Sequence, residues 1–266
     1  MCVVAIIPAR YDSTRFPGKP LASQTGKPLI QHVYEQVAAA RRVARVIVAT
    51  DDVRIAEAVA RFGGEARMTR SDHASGTDRV AEVVRQLADD GVQCELVVNV
   101  QGDEPEMEPE AIDALVALMA VHHDAPVGTL ACRFTRVEDV TNPACVKVVV
   151  DAAGHALYFS RSLIPYPRET GGTVDDPGRW LLHLGIYAYR PSFLEKLTRE
   201  RPCTLERIEQ LEQLRVLHMG ARIAVAVVER ASTGIDTPEQ YEAFVARCRA
   251  RLTGETPVPP CSAMER

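Results

Sequence analysis

The first half of the chain alternates between short apolar runs and segments with helical spacing. The apolar runs cover residues 3–7, 46–50 and 96–100 and contain no alternating polar positions. Such runs are typical of strands that are buried on both faces of a parallel sheet. Apolar residues that recur every three or four positions predict helices between them. These stripes are Leu29, Val33, Val37 and Ala40; Ile55, Val59 and Phe62; Val80, Val83, Val84 and Leu87; and Ile112, Leu115, Val116 and Met119.

The second half has a different pattern. Apolar runs at 146–150 and 155–161 flank the turn sequence DAAG, which predicts a β-hairpin. Further strands are predicted at 184–189 and 223–228, and one helix over 204–218. We expect the buried stripe of that helix to be Leu205, Ile208, Leu211 and Leu214.

A last helix begins at Thr237, where the sequence TPEQ combines a capping box with a proline in the first turn. The residues from 253 to 266 show no periodicity and include two adjacent prolines, so we expect a disordered tail. The pattern therefore predicts a single α/β domain over residues 1–252, with a mostly parallel sheet covered by helices on both faces. An antiparallel subregion at about 132–190 is inserted late in this sheet.

Composition narrows the class of protein. Of 266 residues, 46% are hydrophobic and 25% charged, which is ordinary for a globular domain. The net charge of −5 disfavours a nucleic-acid binder but leaves room for a small anionic ligand. Seven cysteines without a C-x-x-C pair predict reduced thiols rather than disulfides or a structural zinc site. No apolar stretch is long enough for a membrane helix, so we expect a cytoplasmic protein without membrane insertion.

The first strand runs directly into the sequence IIPARYDSTRFPGKP at residues 6–20. Ligands of open α/β sheets lie beyond the carboxyl ends of the strands. Arg10, Arg15 and Lys19 at such an end suit a triphosphate, because guanidinium and ammonium groups bind phosphate oxygens. The alternative is a solvated basic turn. Neither G-x-x-x-x-G-K-[ST] nor G-x-G-x-x-G occurs, which excludes two common phosphate loops.

This loop resembles the signature of sugar nucleotidyltransferases. Together with further segments, it resembles the 3-deoxy-manno-octulosonate (Kdo) cytidylyltransferases, over about Val3 to Arg249. The resemblance implies a Rossmann-like nucleotidyltransferase fold, a homodimer, Mg²⁺, and transfer of CMP from CTP to Kdo for lipopolysaccharide synthesis. The further segments are VATDD, SDHASGTDR, VNVQGDEP, ALYFSRSLIPYPR, HLGIYAYR, LEQLRVL and GIDTPEQ.

Two aspartates are the candidate metal ligands. Asp103 closes the third strand at the carboxyl edge of the sheet, where a carboxylate can hold a cation on a triphosphate. From the residues alone, Asp103 could equally cap the next helix, and Asp236 could merely favour the dipole of the last helix. The resemblance implies that both bind Mg²⁺ and act in catalysis with Lys19. We expect Glu104, Glu106 and Glu108 to form a solvated face.

For the nucleotide, the resemblance implies a set of residues from the first loop, the SDHASGTDR segment and the QGDEP segment. Ser75 and Gly76 lie in a polar turn that can present backbone groups to a base or ribose, and a helix cap at Thr77 is compatible with that role. The full set is Pro8, Ala9, Arg10, Arg15, Lys19, Ser75, Gly76, Gln101 and Asp103.

The inserted subregion is expected to carry sugar binding and dimerisation. Arg161 is a cation inside an apolar strand pattern and would suit the carboxylate of Kdo. Tyr187 could instead belong to the core or to the dimer interface, and Trp180 is expected at that interface. The candidate sugar ligands are Arg161, His183, Tyr187, Glu212 and Gln213.

Alternatives remain within and outside this class. Cytidylyltransferases for 8-amino-Kdo or sialic acid would share the loop. A glycosyltransferase usually carries D-x-D where this chain has Gln101-Gly102-Asp103, and it would leave the three cations unexplained. A nucleotide sensor would bind CTP without turnover.

Overall fold

The computed structural model describes residues 2–12, 16–230, 232 and 234–253. Arg15, and residues 254–266 of the expected tail, lie outside the described residues.

Strands of one mixed sheet form the centre of the molecule. In spatial order they are β3, β2, β1, β4, β8, β5 and β9. Of these, β8 alone runs antiparallel to its neighbours in this path. The strands are β1 (Val3–Ala9), β2 (Arg45–Thr50), β3 (Glu65–Met68), β4 (Leu96–Asn99), β5 (Val127–Arg133), β6 (Lys147–Val150), β7 (Ala156–Ser160), β8 (Leu181–Tyr189) and β9 (Ile223–Val228).

Helices cover both faces of the sheet, as predicted. Alternate residues of β1 belong to two different core clusters: Val3, Ala5 and Ile7 pack on one face, and Val4 and Ile6 on the other. All five are at most 1% exposed, which explains why their pattern is apolar without alternation. The helices are α1 (Leu29–Ala39), α2 (Val53–Arg61), α3 (Gly76–Asp89), α4 (Pro109–Val121), α5 (Val137–Thr141), α6 (Pro191–Arg199), α7 (Thr204–Glu209), α8 (Gln213–His218) and α9 (Pro238–Thr253).

The antiparallel material lies where the sequence predicts it. β6 and β7 form the hairpin across the DAAG turn, and β6 also pairs with the first residues of β8. β8 then continues between β4 and β5. The capping box of the last helix is also confirmed, because Gln240 N–H donates to Thr237 Oγ1 at 3.3 Å and Thr237 N–H to Gln240 Oε1 at 3.1 Å.

The prediction of one helix over 204–218 is wrong. The segment forms two short helices, α7 and α8, separated by Gln210, which has a left-handed backbone with φ of 53°. The break turns the two halves of the expected stripe in different directions. Leu211 and Leu214 are buried, whereas Leu205 and Ile208 are 41% and 74% exposed.

Trp180 is also placed differently from the prediction. It is 3% exposed within this single chain, packs with Phe134, Val140 and Val174, and donates from Nε1 to the carbonyl of Pro165 at 3.0 Å. It therefore belongs to a small internal core rather than to an interface.

Four elements, β3, β5, α5 and α6, were not predicted from the pattern. No described helix is both long and apolar enough to cross a bilayer.

Candidate active site

A cavity of about 350 Å³ opens at the carboxyl edge of the sheet. Its walls come from the ends of β1 and β4, the start of α3, and the segment between β9 and α9. The lining residues are Pro8, Ala9, Arg10, Asp12, Lys19, Pro20, His73, Ser75, Gly76, Arg79, Gln101, Gly102, Asp103 and Asp236. Every residue predicted for the nucleotide that the structure describes is among them, and Arg15 lies outside the described residues.

A backbone hydrogen bond closes the loop after β1. Gly18 has φ of 72°, and its N–H donates to the carbonyl of Tyr11 at 3.0 Å. A side chain at Gly18 would be strained in this conformation and would meet the Tyr11 hydroxyl at 3.1 Å. The closed loop places Lys19 at the cavity, where the lysine side chain is only 11% exposed.

The structure brings the two predicted aspartates to the same ammonium group. Lys19 Nζ lies 2.8 Å from Asp103 Oδ2 and 3.7 Å from Asp236 Oδ1. It also donates to the carbonyl of Ile235 at 2.7 Å. Two carboxylates that converge on one cation form a site for positive charge, and Lys19 offsets their mutual repulsion.

Backbone contacts explain why residues so distant in sequence meet. Ile235 N–H donates to the carbonyl of Asp103 at 2.8 Å, which holds the segment after β9 against the end of β4. A Cβ atom at Gly102 would meet the carbonyl oxygen of Pro8 at 2.7 Å. Only glycine therefore allows the ends of β1 and β4 to approach this closely.

The start of α3 forms the facing wall. Ser75, rather than Thr77, caps the helix: its hydroxyl accepts from Asp78 N–H at 3.2 Å, and Asp78 Oδ2 accepts from Ser75 N–H at 3.1 Å. Thr77 lies inside the helix, and its hydroxyl donates to Glu212 Oε1. The first turn of α3 thus connects the cavity to the break between α7 and α8.

Sequence reasoning missed Arg79, His73 and Asp12 as lining residues. Arg79 is 4% exposed and pairs with Asp51 Oδ2 at 2.9 Å. A signal for Arg79 was present, because a charged residue occurs beside Val80 at the start of an apolar helical stripe.

Two of the three acidic residues after Asp103, Glu104 and Glu106, do not form the solvated face that we expected, whereas Glu108 is exposed as predicted. Burial raises the pKa of Glu104 to about 7, and Ser232 Oγ donates to Glu104 Oε2 at 2.8 Å. Glu106 pairs with Arg247 and Arg251, each at 2.6 Å, and so fastens α9 to the β4–α4 segment.

Three of the predicted sugar ligands lie on β8 and α8: His183 and Tyr187 on the strand, and Gln213 at the first residue of the helix. His183 Nε2 lies 3.0 Å from Thr129 Oγ1, and its ring packs against Phe159 and Tyr187 with centroids 4.9 and 5.4 Å apart. Burial lowers the pKa of His183 to about 3 and raises that of Tyr187 well above its usual range. Both are therefore neutral near pH 7 and offer hydrogen bonds without charge. Gln213 is 6% exposed.

Asn99 pairs with Tyr187 across β4 and β8 and was not predicted to belong to this group. It is 1% exposed, and its Oδ1 has no hydrogen-bond partner among the residues that the structure describes. A buried amide oxygen without a donor is costly, so a ligand hydroxyl would stabilise it.

Glu212 completes the link between the two parts of the site. Burial raises its pKa, while the Thr77 hydroxyl and Arg215, whose Nη2 lies 3.8 Å from Oε2, favour the ionised form. Glu212 therefore contacts the start of α3, which also lines the cavity.

Arg161 lies apart from the cavity lining. Its guanidinium donates to the carbonyls of Glu209 at 2.7 Å, Pro143 at 3.0 Å and Gln210 at 3.4 Å. The backbone N–H of Arg161 donates to Glu209 Oε2 at 2.9 Å. In this structure Arg161 thus stabilises the backbone around the left-handed residue Gln210, just before Glu212 and Gln213.

The chain is similar to known proteins over most of its length. The profile of the family described as "Cytidylyltransferase" matches residues 4–223. The chain is 53% identical over 245 residues to the 3-deoxy-manno-octulosonate cytidylyltransferase of Syntrophobacter fumaroxidans, covering 92% of this chain and 96% of that protein. This chain belongs to the cytidylyltransferase family.

Further relatives of this cytidylyltransferase agree in name and length. The 3-deoxy-manno-octulosonate cytidylyltransferase of Geobacter sulfurreducens is 47% identical over 94% of this chain and its own full length. A solved structure of CMP:2-keto-3-deoxy-manno-octonic acid synthetase complexed with CTP matches with a TM-score of 0.87 and 42% identity, covering 94% of this chain and 100% of that one. A cytidylyltransferase from Leptospira borgpetersenii shares the fold at 18% identity and a TM-score of 0.60, covering 92% of this chain and 86% of that one.

Proposed function

We propose that this cytidylyltransferase transfers CMP from CTP to the anomeric hydroxyl of Kdo, releases diphosphate, and so activates Kdo for lipopolysaccharide synthesis. The observation that carries the proposal is the convergence of Asp103 and Asp236 on Lys19 in a cavity at the carboxyl edge of the sheet. The relatives named as Kdo cytidylyltransferases support the choice of both substrates.

In this proposal the nucleotide occupies the cavity. Arg10 and Lys19 neutralise the triphosphate, and the turn at Ser75 and Gly76 with Gln101 contacts the nucleoside. Arg15 belongs to the same loop by sequence. The chemistry needs charge neutralisation and alignment more than covalent participation by the protein.

Mg²⁺ is the proposed cofactor. Asp103 and Asp236 would hold it, and their donor set fits, since hard cations prefer carboxylate oxygens and a cationic group already lies between these two. When bound, the ion would add positive charge against the phosphates and act as a Lewis acid.

Kdo is proposed to bind beside β8 and the α7–α8 break. His183, Tyr187 and Gln213 offer neutral donors and acceptors for its hydroxyls, and Asn99 offers an acceptor without a partner among the described residues. Arg161 would orient this pocket or contact the sugar carboxylate with its remaining donors. The anomeric oxygen then attacks the α-phosphorus in line, its bond to phosphorus forms as the bond to the leaving diphosphate breaks, and its proton passes to solvent.

We further propose that the enzyme is a cytoplasmic homodimer. Support for dimerisation comes from exposed apolar side chains on and around the inserted subregion, where Leu157, Ile208 and Val227 are 61%, 74% and 52% exposed. Sedimentation velocity of the purified chain tests the oligomeric state.

The test of function is diphosphate release from CTP with Kdo, 8-amino-Kdo or sialic acid as the acceptor. Release that depends on Kdo supports the proposal, and release that depends on another acid reassigns the substrate. CTP binding without release with any acid would indicate a sensor. Consumption of a finished nucleotide sugar would indicate a glycosyltransferase.

A further inference from the structure

A second cluster of chemically active side chains lies far from the cavity, at the amino edge of the sheet. His122 follows α4, Asp124 precedes β5, and His155 lies in the β6–β7 turn, where it bridges to Ala224 at the start of β9. One potential ligand atom from each of the three lies within 4.8 Å of the others. In the described part of the chain, no other group of three or more histidine, cysteine or acidic residues meets this criterion.

His155 is the fixed member of this cluster. It is 9% exposed, and its Nε2 atom has no hydrogen-bond partner among the described residues. Nε2 lies 3.5 Å from Asp124 Oδ2, and the His155 ring meets the His122 ring edge-on with centroids 5.3 Å apart. A buried polar nitrogen without a partner is unfavourable unless it binds something.

The other ring nitrogen faces a carboxylate. His155 Nδ1 lies 3.5 Å from Asp151 Oδ2. Asp151 is itself held by the N–H groups of Ala153 and His155, each 2.8 Å from Oδ1. A proton on Nδ1, facing Asp151, leaves the lone pair of Nε2 directed away from it. Metal-binding histidines commonly have this carboxylate behind the ring.

We propose that His122, Asp124 and His155 bind a divalent transition-metal ion, with Zn²⁺ the best match. Two imidazoles and one carboxylate, completed by water, are a usual zinc ligand set, whereas Mg²⁺ favours oxygen ligands. Zinc bonds of about 2.1 Å put tetrahedral ligand atoms about 3.4 Å apart, so the cluster must contract. Half-buried His122 and exposed Asp124 can move toward His155 because both lie in the connection between α4 and β5.

Arg222 competes for the same carboxylate. Its guanidinium forms an ion pair with Asp124 Oδ2, so a bound metal ion would take the place of this partner. Arg222 is 61% exposed and can move into solvent when an ion binds. The bound ion would connect the end of α4 to the β6–β7 turn, which bridges to the start of β9. We therefore expect the ion to affect stability rather than catalysis.

The test is Zn²⁺ titration by calorimetry of the metal-stripped full chain, with Mg²⁺ in excess to saturate oxygen-only sites. We expect one Zn²⁺ per chain. His155→Ala and His122→Ala should each weaken this binding at least about a hundredfold, and Asp151→Asn by about ten- to a hundredfold, the range for residues behind a metal ligand. His123→Ala is the matched control, because this exposed histidine adjoins the cluster but is not one of the three.

Absence of Zn²⁺ binding by the wild type would overturn the proposal, as would equal binding by wild type and His122→Ala. His122 is half-buried, so that variant gives an answer even if His155→Ala does not fold. Titration with Co²⁺ tests whether cysteines bind the ion instead, because thiolate ligands would add intense sulfur-to-metal absorption. Such absorption, unchanged in His122→Ala, would assign the ion to cysteine and refute the site. None of these outcomes depends on the acceptor sugar, so they are independent of the proposed function.

Discussion

The proposed nucleotide side and the proposed sugar side of the candidate site are built in different ways. The nucleotide side consists of loops that directly follow β1 and β4, and short motifs supply most of its residues: Arg10 and Lys19 from one, Gln101 and Asp103 from the other. The sugar side consists of side chains on the face of β8 and at a break between two short helices. The nucleotide side depends on the ends of strands and on charged side chains. The sugar side depends on how strand β8 packs with the break between α7 and α8. Variants can test this difference directly.

The largest effect is expected at the carboxylates of the nucleotide side. Asp103→Asn and Asp236→Asn should each lower turnover at least about a hundredfold, the scale of losing one electrostatic stabiliser of a transition state. The double variant should be far less impaired than the product of the two effects, because both groups act on one charge site. Steady-state diphosphate release measures this. Glu108→Gln, an exposed acid in the same segment, should be unaffected; wild-type turnover in Asp236→Asn would exclude Asp236 from the site.

Lys19→Ala should raise the CTP concentration needed for half-maximal rate. A hydrogen bond to a charged group contributes about 1.5–3 kcal/mol, which corresponds to roughly ten- to a hundredfold in affinity. Lys27→Ala is the control, since Lys27 is a half-exposed lysine that pairs with Glu35. CTP binding is measured by calorimetry, and an unchanged affinity in Lys19→Ala would contradict a role in phosphate binding.

Arg161→Leu tests the sugar side. Loss of its bonds to three carbonyls should displace the α7–α8 break and raise the KM for Kdo about tenfold or more, while CTP binding stays near normal. A role through positioning also predicts that Glu209→Ala, which removes the acceptor for Ser160 Oγ and Arg161 N–H, has a similar effect. Weakened CTP binding, or normal kinetics in Arg161→Leu, would show that the residue serves neither role.

The last prediction concerns the stability of the folded chain in acid and has the smallest expected effect on activity. Burial lowers the folded-state pKa of His183 from 6.5 to about 3. Between these values the unfolded chain binds a proton at this residue and the folded chain does not, so stability falls as the pH drops from about 6.5 toward about 3. Urea unfolding of His183→Gln should show a weaker loss across this window than wild type, and the exposed control His218→Gln should not. Parallel curves for His183→Gln and wild type would indicate that the imidazole is not protected.

Much of the parallel half of the fold was predictable because its signals are local. A strand buried on both faces, such as β1, must be apolar at every position, and a helix that covers it must carry a stripe. The first turn of α9 was predictable for the same reason, since TPEQ forms its capping box within four residues. The close approach at Gly102, in contrast, appears in the sequence only as a glycine, and its contact with the Pro8 carbonyl is a tertiary fact.

The sequence by itself determined the class of fold and the position of Asp103 at the carboxyl edge of the sheet, because these depend on local patterns and on strand ends that share one edge. The pairing of Asp103 with Asp236 was expected only from the family resemblance. The tertiary structure alone decided the break at Gln210, where a left-handed residue is not glycine and therefore carries no local signal. It also decided that Arg161 braces backbone carbonyls and that Lys19 lies between two carboxylates. Contacts between residues 84 to 216 positions apart, as around Lys19, have no imprint in any short stretch of sequence, since only packing of the whole chain brings them together.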